Sequence, residues 1–506
     1  MRTLTLPFCA ERRHCLAKFL IAVVFAALFF LPLNRVHAQD ETPVFRGSSR
    51  LVTLDVVVTD KAGQPVRNVS RDDFTILEDG ATQTITTFEP PAAQITKSRV
   101  GKEETSTEAA RAPSLTIIVL DELNSEITDQ AYARQEIQKF LAAHGPVLGQ
   151  PTSLMILGQK RLDLLQDYTQ DPHALIQSLH RRHAELPFSL MHAEFTGVAE
   201  RMSKTLWALG QIAAANNQFA GRKNVVWVGP GFPVINISLN IEPKDRQRFA
   251  NAVGDTANLL FDARVAVYTV NPRGLEAFTP WDDSFEGELV FESIAPETGG
   301  RIFRNRNDLD ALIALSSEEG AASYALAYYP TNRDWNGKFR NIRVVVRNPG
   351  LQVLARKGYF AVEDTPPSDE HIDRVLSRAV MSPLTYRSLE VQASYVPEGR
   401  DSGRFNIEIA RRGLDWQLST NGKRRSEVTV VTASLDARDR VITHRVKVLE
   451  ILVDDKNFEN QWDKPVSFYV PSSLPAGAKY VRVVVQDAEN SHIGTTDLPR
   501  AALQVR

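Results

Sequence analysis

Residues 115–125, LTIIVLDELNS, limit what this chain can fold into more than any other stretch. Residues 116–120 form an unbroken apolar and β-branched run. A strand with one wet face alternates polar and apolar residues. A strand without alternation is covered on both faces, as in the centre of a parallel sheet flanked by helices. The run ends on Asp121, and Glu122, Asn124 and Ser125 follow. Open α/β sheets bind ligands beyond the carboxyl ends of such strands, so these oxygen-bearing side chains are the first candidate site.

The neighbouring sequence supports an α/β fold, because strand and helix patterns alternate from residue 114 to 306. Strands are expected at 115–120, 153–157, 161–169, 224–228, 265–270 and 301–304. The second and third are joined by a tight turn at Gly158. Helices are expected at 129–143, 172–182, 198–216 and 243–263. Ala133, Ile137, Phe140 and Leu141 share one face of the first, with Asp129 as its N-terminal cap. Val198, Met202, Leu206, Leu209 and Ala213 form a stripe on the third.

On either side the period changes to two. Residues 44–90 read as a small β module with a hairpin turn at Asp79-Gly80, and its order of strand, D-x-x-G-x-P-V, strand and E-D-G resembles the immunoglobulin-like β-sandwich modules of exported bacterial proteins. The acids and glycines of this module are expected only to shape turns. Residues 91–113 are charged and poor in apolar side chains, as a linker is. Residues 114–322 are the α/β domain. Residues 323–362 carry three strands expected to extend or cover its sheet edge, with Trp335-Asn336-Gly337-Lys338 as a hairpin turn between the first two. Residues 363–387 are a linker and short helix. Residues 388–506 alternate as an antiparallel β-sandwich of immunoglobulin or fibronectin type.

The first 38 residues read as a signal peptide, with Arg2, Arg12, Arg13 and Lys18 ahead of an apolar stretch at 19–33. Val36-His37-Ala38 places cleavage before Gln39, so the chain is expected to be exported: periplasmic, on the outer surface, or secreted. Membrane attachment follows only if that segment stays as an anchor. Both cysteines, Cys9 and Cys15, are lost with it, leaving no disulfide. Removal takes the formal net charge from −2 to about −6. No concentrated basic patch remains, which argues against nucleic acid as a partner.

The segments LDVVVTDKAGQPV, DDFTILEDG, IIVLDELNS, GRKNVVWVGPGFP, VYTVNPRG, ETGGRIFRN, YALAYYP and RKGYFA occur in this order across residues 44–362. Together they resemble the von Willebrand factor type A-related proteins of acidobacteria and neighbouring soil bacteria. The resemblance implies an exported protein with a Rossmann-like α/β domain between β modules, and no established activity. It also implies a metal ion-dependent adhesion site. In that family the first loop reads Asp-x-Ser-x-Ser, a second loop supplies a Thr, and an Asp follows the fourth strand. Here Asp121 and Ser125 match the outer positions of the first loop, but Leu123 replaces the middle serine. Thr196, placed in a loop, and Thr205, within a helix, compete for the threonine. Gly229-Pro230-Gly231 stands where the last Asp belongs. The site is degenerate. No cofactor is expected, and magnesium or calcium is the ion a surviving site would take.

Other chemistry is sparse. Gly229-Pro230-Gly231 lacks the third glycine of a nucleotide loop. His180 and His183, with His192 nearby, have no HExxH pattern and adjoin Arg181 and Arg182, so they read as a solvated helix end. No G-x-S-x-G elbow occurs. The leading expectation is therefore a non-enzymatic protein-interaction or adhesion module. It would use the crest of the α/β sheet, with Asn124, Gly229, Gly231 and Phe232 meeting a protein or envelope component. The alternatives are an extracytoplasmic hydrolase acting on envelope or extracellular polymer, and an architectural scaffold without a ligand.

Overall fold

The computed structural model describes residues 50–91, 113–182, 195–217, 219–231, 235–236, 243–272, 288–289, 294–303, 308–362, 369–398, 402–419, 422–489 and 492–503. The expected signal and cleavage site, most of the 91–113 linker, Phe232, His183, His192 and the paired prolines before residue 369 lie outside them. Ser49–Arg506 form one compact unit.

The chain begins with β1 (Val52–Thr59), β2 (Phe74–Glu78), β3 (Ala81–Gln83) and β4 (Ile85–Glu89). Asp79 and Gly80, both at positive φ, close the β2–β3 hairpin as their sequence predicts. The α/β part follows. It comprises β5 (Leu115–Asp121), α1 (Ile127–Ala143), β6 (Thr152–Leu157), β7 (Leu162–Thr169), α2 (Pro172–Arg181), α3 (Phe195–Asn216) and β8 (Lys223–Val228). It continues through β9 (Ile235–Asn236), α4 (Pro243–Asp262), β10 (Val265–Val270), β11 (Glu288–Leu289), α5 (Ile294–Thr298), β12 (Ile302–Phe303) and α6 (Leu309–Ala321).

Six of these strands form one sheet in the order β12-β10-β8-β5-β6-β7. All neighbours are parallel except β7, which runs antiparallel to β6 after the turn in which Gly158 N donates to Arg161 O at 3.0 Å. Every residue of β5, β6, β8 and β10 is buried, as a sheet covered on both faces requires. On one face Ile117 and Val119 pack with Leu206 and Leu209 of α3 and Leu260 of α4. On the other, Ile118 and Leu120 pack with Ile137 and Phe140 of α1 and with Leu312 and Ile313 of α6.

Two local expectations fail here. The cap of α1 is Glu126, without a side-chain hydrogen bond, and Asp129 sits inside the first turn. Helix α6 has no counterpart in the sequence reading. Its buried positions include Ser316, Glu319 and Gly320, so the apolar stripe is interrupted by polar residues.

The next strands are β13 (Tyr324–Tyr328), β14 (Phe339–Val346), β15 (Gln352–Leu354) and β16 (Gly358–Phe360). They hydrogen-bond with the N-terminal strands, not with the edge of the α/β sheet. The sheets are β15-β1-β13-β4 and β16-β14-β2-β3, sharing a core that includes Leu54, Val56, Ile76, Leu326 and Ile342. β13 and β14 lie in different sheets, so Trp335–Lys338 is a crossing between them and not a hairpin turn. The α/β part is thus inserted between β4 and β13, which pair with each other. It also packs against these strands, with Phe261 of α4 stacked on Tyr359 at 5.5 Å. Nor does Glu78 merely shape a turn. It is buried, and it accepts from Tyr328 Oη at 2.6 Å, Tyr359 Oη at 3.1 Å and Arg340 Nη1 at 3.0 Å.

Helix α7 (Asp369–Met381) leads to β17 (Val391–Pro397), β18 (Ser402–Ala410), β19 (Gln417–Leu418), β20 (Lys423–Leu435), β21 (Val441–Asp454), β22 (Pro465–Ser473), β23 (Tyr480–Asp487), β24 (Ile493–Pro499) and α8 (Arg500–Leu503). A β17-β18-β22 sheet faces a five-stranded one built on β20 and β23, over a core including Phe405, Ile407, Val428, Val483 and Val485. The outer face of the second sheet (Val431, Ala433, Val484) joins the α/β core through Leu376 and Ala379 of α7. Tyr386 Oη donates to Gln211 Oε1 at 2.8 Å across the same junction.

Candidate functional site

From β5 the chain moves outward to β6 and β7, then returns to place β8, β10 and β12 on the other side of β5. The β5–β8 junction is therefore the switch point of the sheet, where neighbouring loops diverge and leave a crevice. Asp121 ends β5, and Gly229 to Gly231 follow β8, so both candidate segments meet there.

The Asp121 side chain is fully buried. Asn124 Nδ2 donates to both carboxylate oxygens at 3.0 Å, and the Asn124 backbone N donates to Oδ1 at 3.1 Å. Trp227 Nε1 and the Gly231 backbone N donate to Oδ2 at 3.1 and 3.0 Å. Burial pushes the carboxyl up to about 7, while these hydrogen bonds pull it down. Gly229 makes the close approach possible. Its φ is +148°, and a Cβ there would lie 2.5 Å from Asp121 Cβ and 3.2 Å from Ser125 Oγ. The loop is also sewn to α1. Gln130 Nε2 donates to Glu122 O and Ser125 O, each at 3.1 Å, and Arg134 pairs with the buried Glu122 carboxylate.

The fold thus brings together Asp121, Asn124, Ser125, Thr205, Gly229 and Gly231. Thr205 Oγ1 receives a long hydrogen bond of 3.3 Å from Asn124 Nδ2. Thr196 lies in the first turn of α3, not in a loop, and its side chain is outside the described residues. Nine residues of helix separate it from Thr205, about 13 Å along the axis, so the two cannot serve one ion. Asn124, Gly229 and Gly231 are buried. They hold the shape of the crest and do not themselves present a surface to a partner. Trp227 was legible only as core. Its register beside Val119 in β5, two residues before Asp121, is what sets its indole on the carboxylate.

No family model matches the chain, and no curated protein matches it. Among solved structures it is similar to the SpRpn10 VWA domain, at 13% identity over 40% of this chain and 94% of that one, with a TM-score of 0.22. It is similar to the TFIIH p34 N-terminal domain at 16% identity, over 40% and 96%, with a TM-score of 0.22. A manganese-loaded Plasmodium vivax TRAP protein is similar at 9% identity, over 68% and 94%, with a TM-score of 0.24. At such scores nothing about binding or activity passes from these proteins to this chain.

Whether these residues fit a magnesium or calcium ion is a question of donor chemistry. Such an ion needs several oxygen ligands. Ser125 Oγ and Asn124 Oδ1 are buried without hydrogen-bond partners among the described residues, and both adjoin the carboxylate. Against them, the groups turned on Asp121 are N–H donors, and Leu123 is packed into the core. No group of three His, Cys, Asp or Glu side chains gathers among the described residues. The set does not fit a hard cation. The Asn124 amide lies against both carboxylate oxygens, where positive charge would otherwise be needed.

Proposed function

We propose that this chain is an exported, non-enzymatic protein-interaction module, built on a metal-free α/β domain locked at its crest. The observation that carries this reading is strand β21. It is 14 residues long and pairs with β20 on one side only among the described residues. Ile442, Val446, Val448 and Leu452 alternate along one face and are 43%, 53%, 57% and 47% exposed. Soluble proteins usually blunt such edges, and His444, Arg445 and Lys447 discourage only indiscriminate pairing. A partner chain in extended form would add its backbone hydrogen bonds to β21 and cover the apolar side chains. The contact surface is then this edge, with the crest of the sheet a fixed support.

A photo-crosslinking residue at Val446, in protein expressed through the export pathway, tests this. A single dominant protein adduct is expected, lost on Val448→Asp and retained on Phe232→Asp. Loss on Phe232→Asp instead would return the contact to the crest. Absence of any adduct, with activity on a polymer substrate abolished by one acid-to-amide change, would favour the hydrolase. Export itself predicts a mature N-terminus at Gln39, read by N-terminal sequencing.

A further inference from the structure

A second feature lies on the C-terminal sandwich and belongs to neither the crest nor β21. A cavity of about 250 Å³ opens beside β17, the end of β18 and the start of β22. Its lining includes Arg411, which is 6% exposed. Nη1 of Arg411 donates a long hydrogen bond to Gln461 Oε1 at 3.3 Å, and its Nε is buried without a partner. Its Cζ lies over the Phe458 ring at 5.8 Å and its Nε is enclosed, so a ligand in the cavity meets this guanidinium only through its Nη nitrogens and its charge. Trp462 forms another part of the wall. It is 38% exposed and held edge-on by Phe458 at 5.5 Å.

The remaining lining settles the chemistry. Glu390, Glu408 and Asp463 bring carboxylates, and Arg412 lies at 3.0 Å from Glu390. Two guanidinium groups against three carboxylates leave the cavity with a small negative formal charge. An anionic ligand would meet the carboxylates, and a cationic one would meet Arg411. A sugar hydroxyl both donates and accepts, so one ring uses the carboxylates and the guanidinium at once. Its C–H face packs on an indole, which is apolar in the body and polar only at its edge. The volume is below the roughly 300 Å³ at which pockets for drug-sized ligands begin, which suits a single ring.

We propose that this cavity is a saccharide subsite that takes one neutral sugar ring of a polysaccharide chain. It does not rest on the β21 reading. The test uses the chain from Gln39 onward, with soluble neutral oligosaccharides of glucose, xylose, mannose and N-acetylglucosamine. Oligogalacturonate and spermidine serve as charged counter-probes. Binding is followed by calorimetry and tryptophan fluorescence. Saturable binding of at least one neutral series is expected, weakened about tenfold or more in Trp462→Ala. Arg411→Lys should weaken it as well, and Gln392→Ala, at an exposed residue of β17 that also lines the cavity, should weaken it without moving the unfolding midpoint. Three results overturn the proposal: no neutral series binds, a charged probe binds more tightly, or Trp462→Ala with an unchanged unfolding midpoint keeps full affinity.

Discussion

If the Asn124 amide holds the Asp121 carboxylate in place of an ion, the two side chains should be energetically coupled. The perturbation is a double-mutant cycle of Asp121→Ala and Asn124→Ala. In the parent, Nδ2 reaches both carboxylate oxygens at 3.0 Å and Thr205 Oγ1 at 3.3 Å. At pH about 8.5, above the raised Asp121 value of about 7, the carboxyl is ionised. A hydrogen bond to a charged group contributes about 1.5–3 kcal/mol, so Asn124→Ala in the parent should cost about 2–4 kcal/mol at that pH. With Asp121 already removed, only the long bond to Thr205 remains, and the same change should cost about 0.5–1 kcal/mol. The coupling is therefore about 1.5–3 kcal/mol. A chain with several cores need not unfold in one step, so the readout should be local. Hydrogen exchange of the peptide spanning residues 115–126 reports the opening free energy of this loop directly. A coupling below about 0.5 kcal/mol would refute the amide-for-ion reading, because neighbours in one network do not act independently.

Three further outcomes follow from the same geometry. Gly229→Ala places a methyl 2.5 Å from Asp121 Cβ on backbone at φ +148°, so it should destabilise the domain by about 3 kcal/mol or more, measured by denaturant unfolding. A neutral result would mean that the β8 loop moves freely. The Asp121 carboxyl titrates near 7 in the fold against an ordinary 3.8, so the fold holds its proton more tightly than the unfolded chain does. Its stabilising contribution is full below pH of about 4 and is lost as pH rises through about 7, roughly 4 kcal/mol in all. Measured as the difference from Asp121→Asn across that window, a flat line would count against a buried titrating acid. Finally, adding magnesium, manganese or calcium to chelator-stripped protein should leave the unfolding midpoint of the parent and of Asp121→Ala unchanged. A rise in the parent alone would show a working ion site.

Local pattern made the α/β sheet legible. The unbroken apolar runs at β5, β8 and β10 mark strands buried on two faces, because a residue's burial on both sides leaves a one-dimensional trace. The oxygen-bearing loop after β5 was visible for the same reason, and so was the β2–β3 turn at Asp79-Gly80. What sequence could not carry was partnership at long range. β13 and β14 read correctly as strands, but the run LQVLARKGYFA, read as one strand, is two, β15 and β16, in different sheets. Nothing local says that β13 pairs with β1 and β4 across the whole α/β insertion, or that Glu78 meets Arg340 and two tyrosines. Helix α6 escaped because tertiary packing buries its Ser316 and Glu319. At the site, residue type suggested a ligand-binding loop, and the resemblance to type A-related proteins implied that the ligand was an ion. The tertiary structure set the Trp227 indole and the Gly231 N–H on Asp121, and turned the Asn124 amide against both its oxygens. Chain order thus determined which residues arrive at the switch point. Only the register between β5 and β8 decided that the Trp227 indole and the Gly231 N–H join the local Asn124 donors on the carboxylate, because a buried charge takes whatever partners the packing of neighbouring strands delivers.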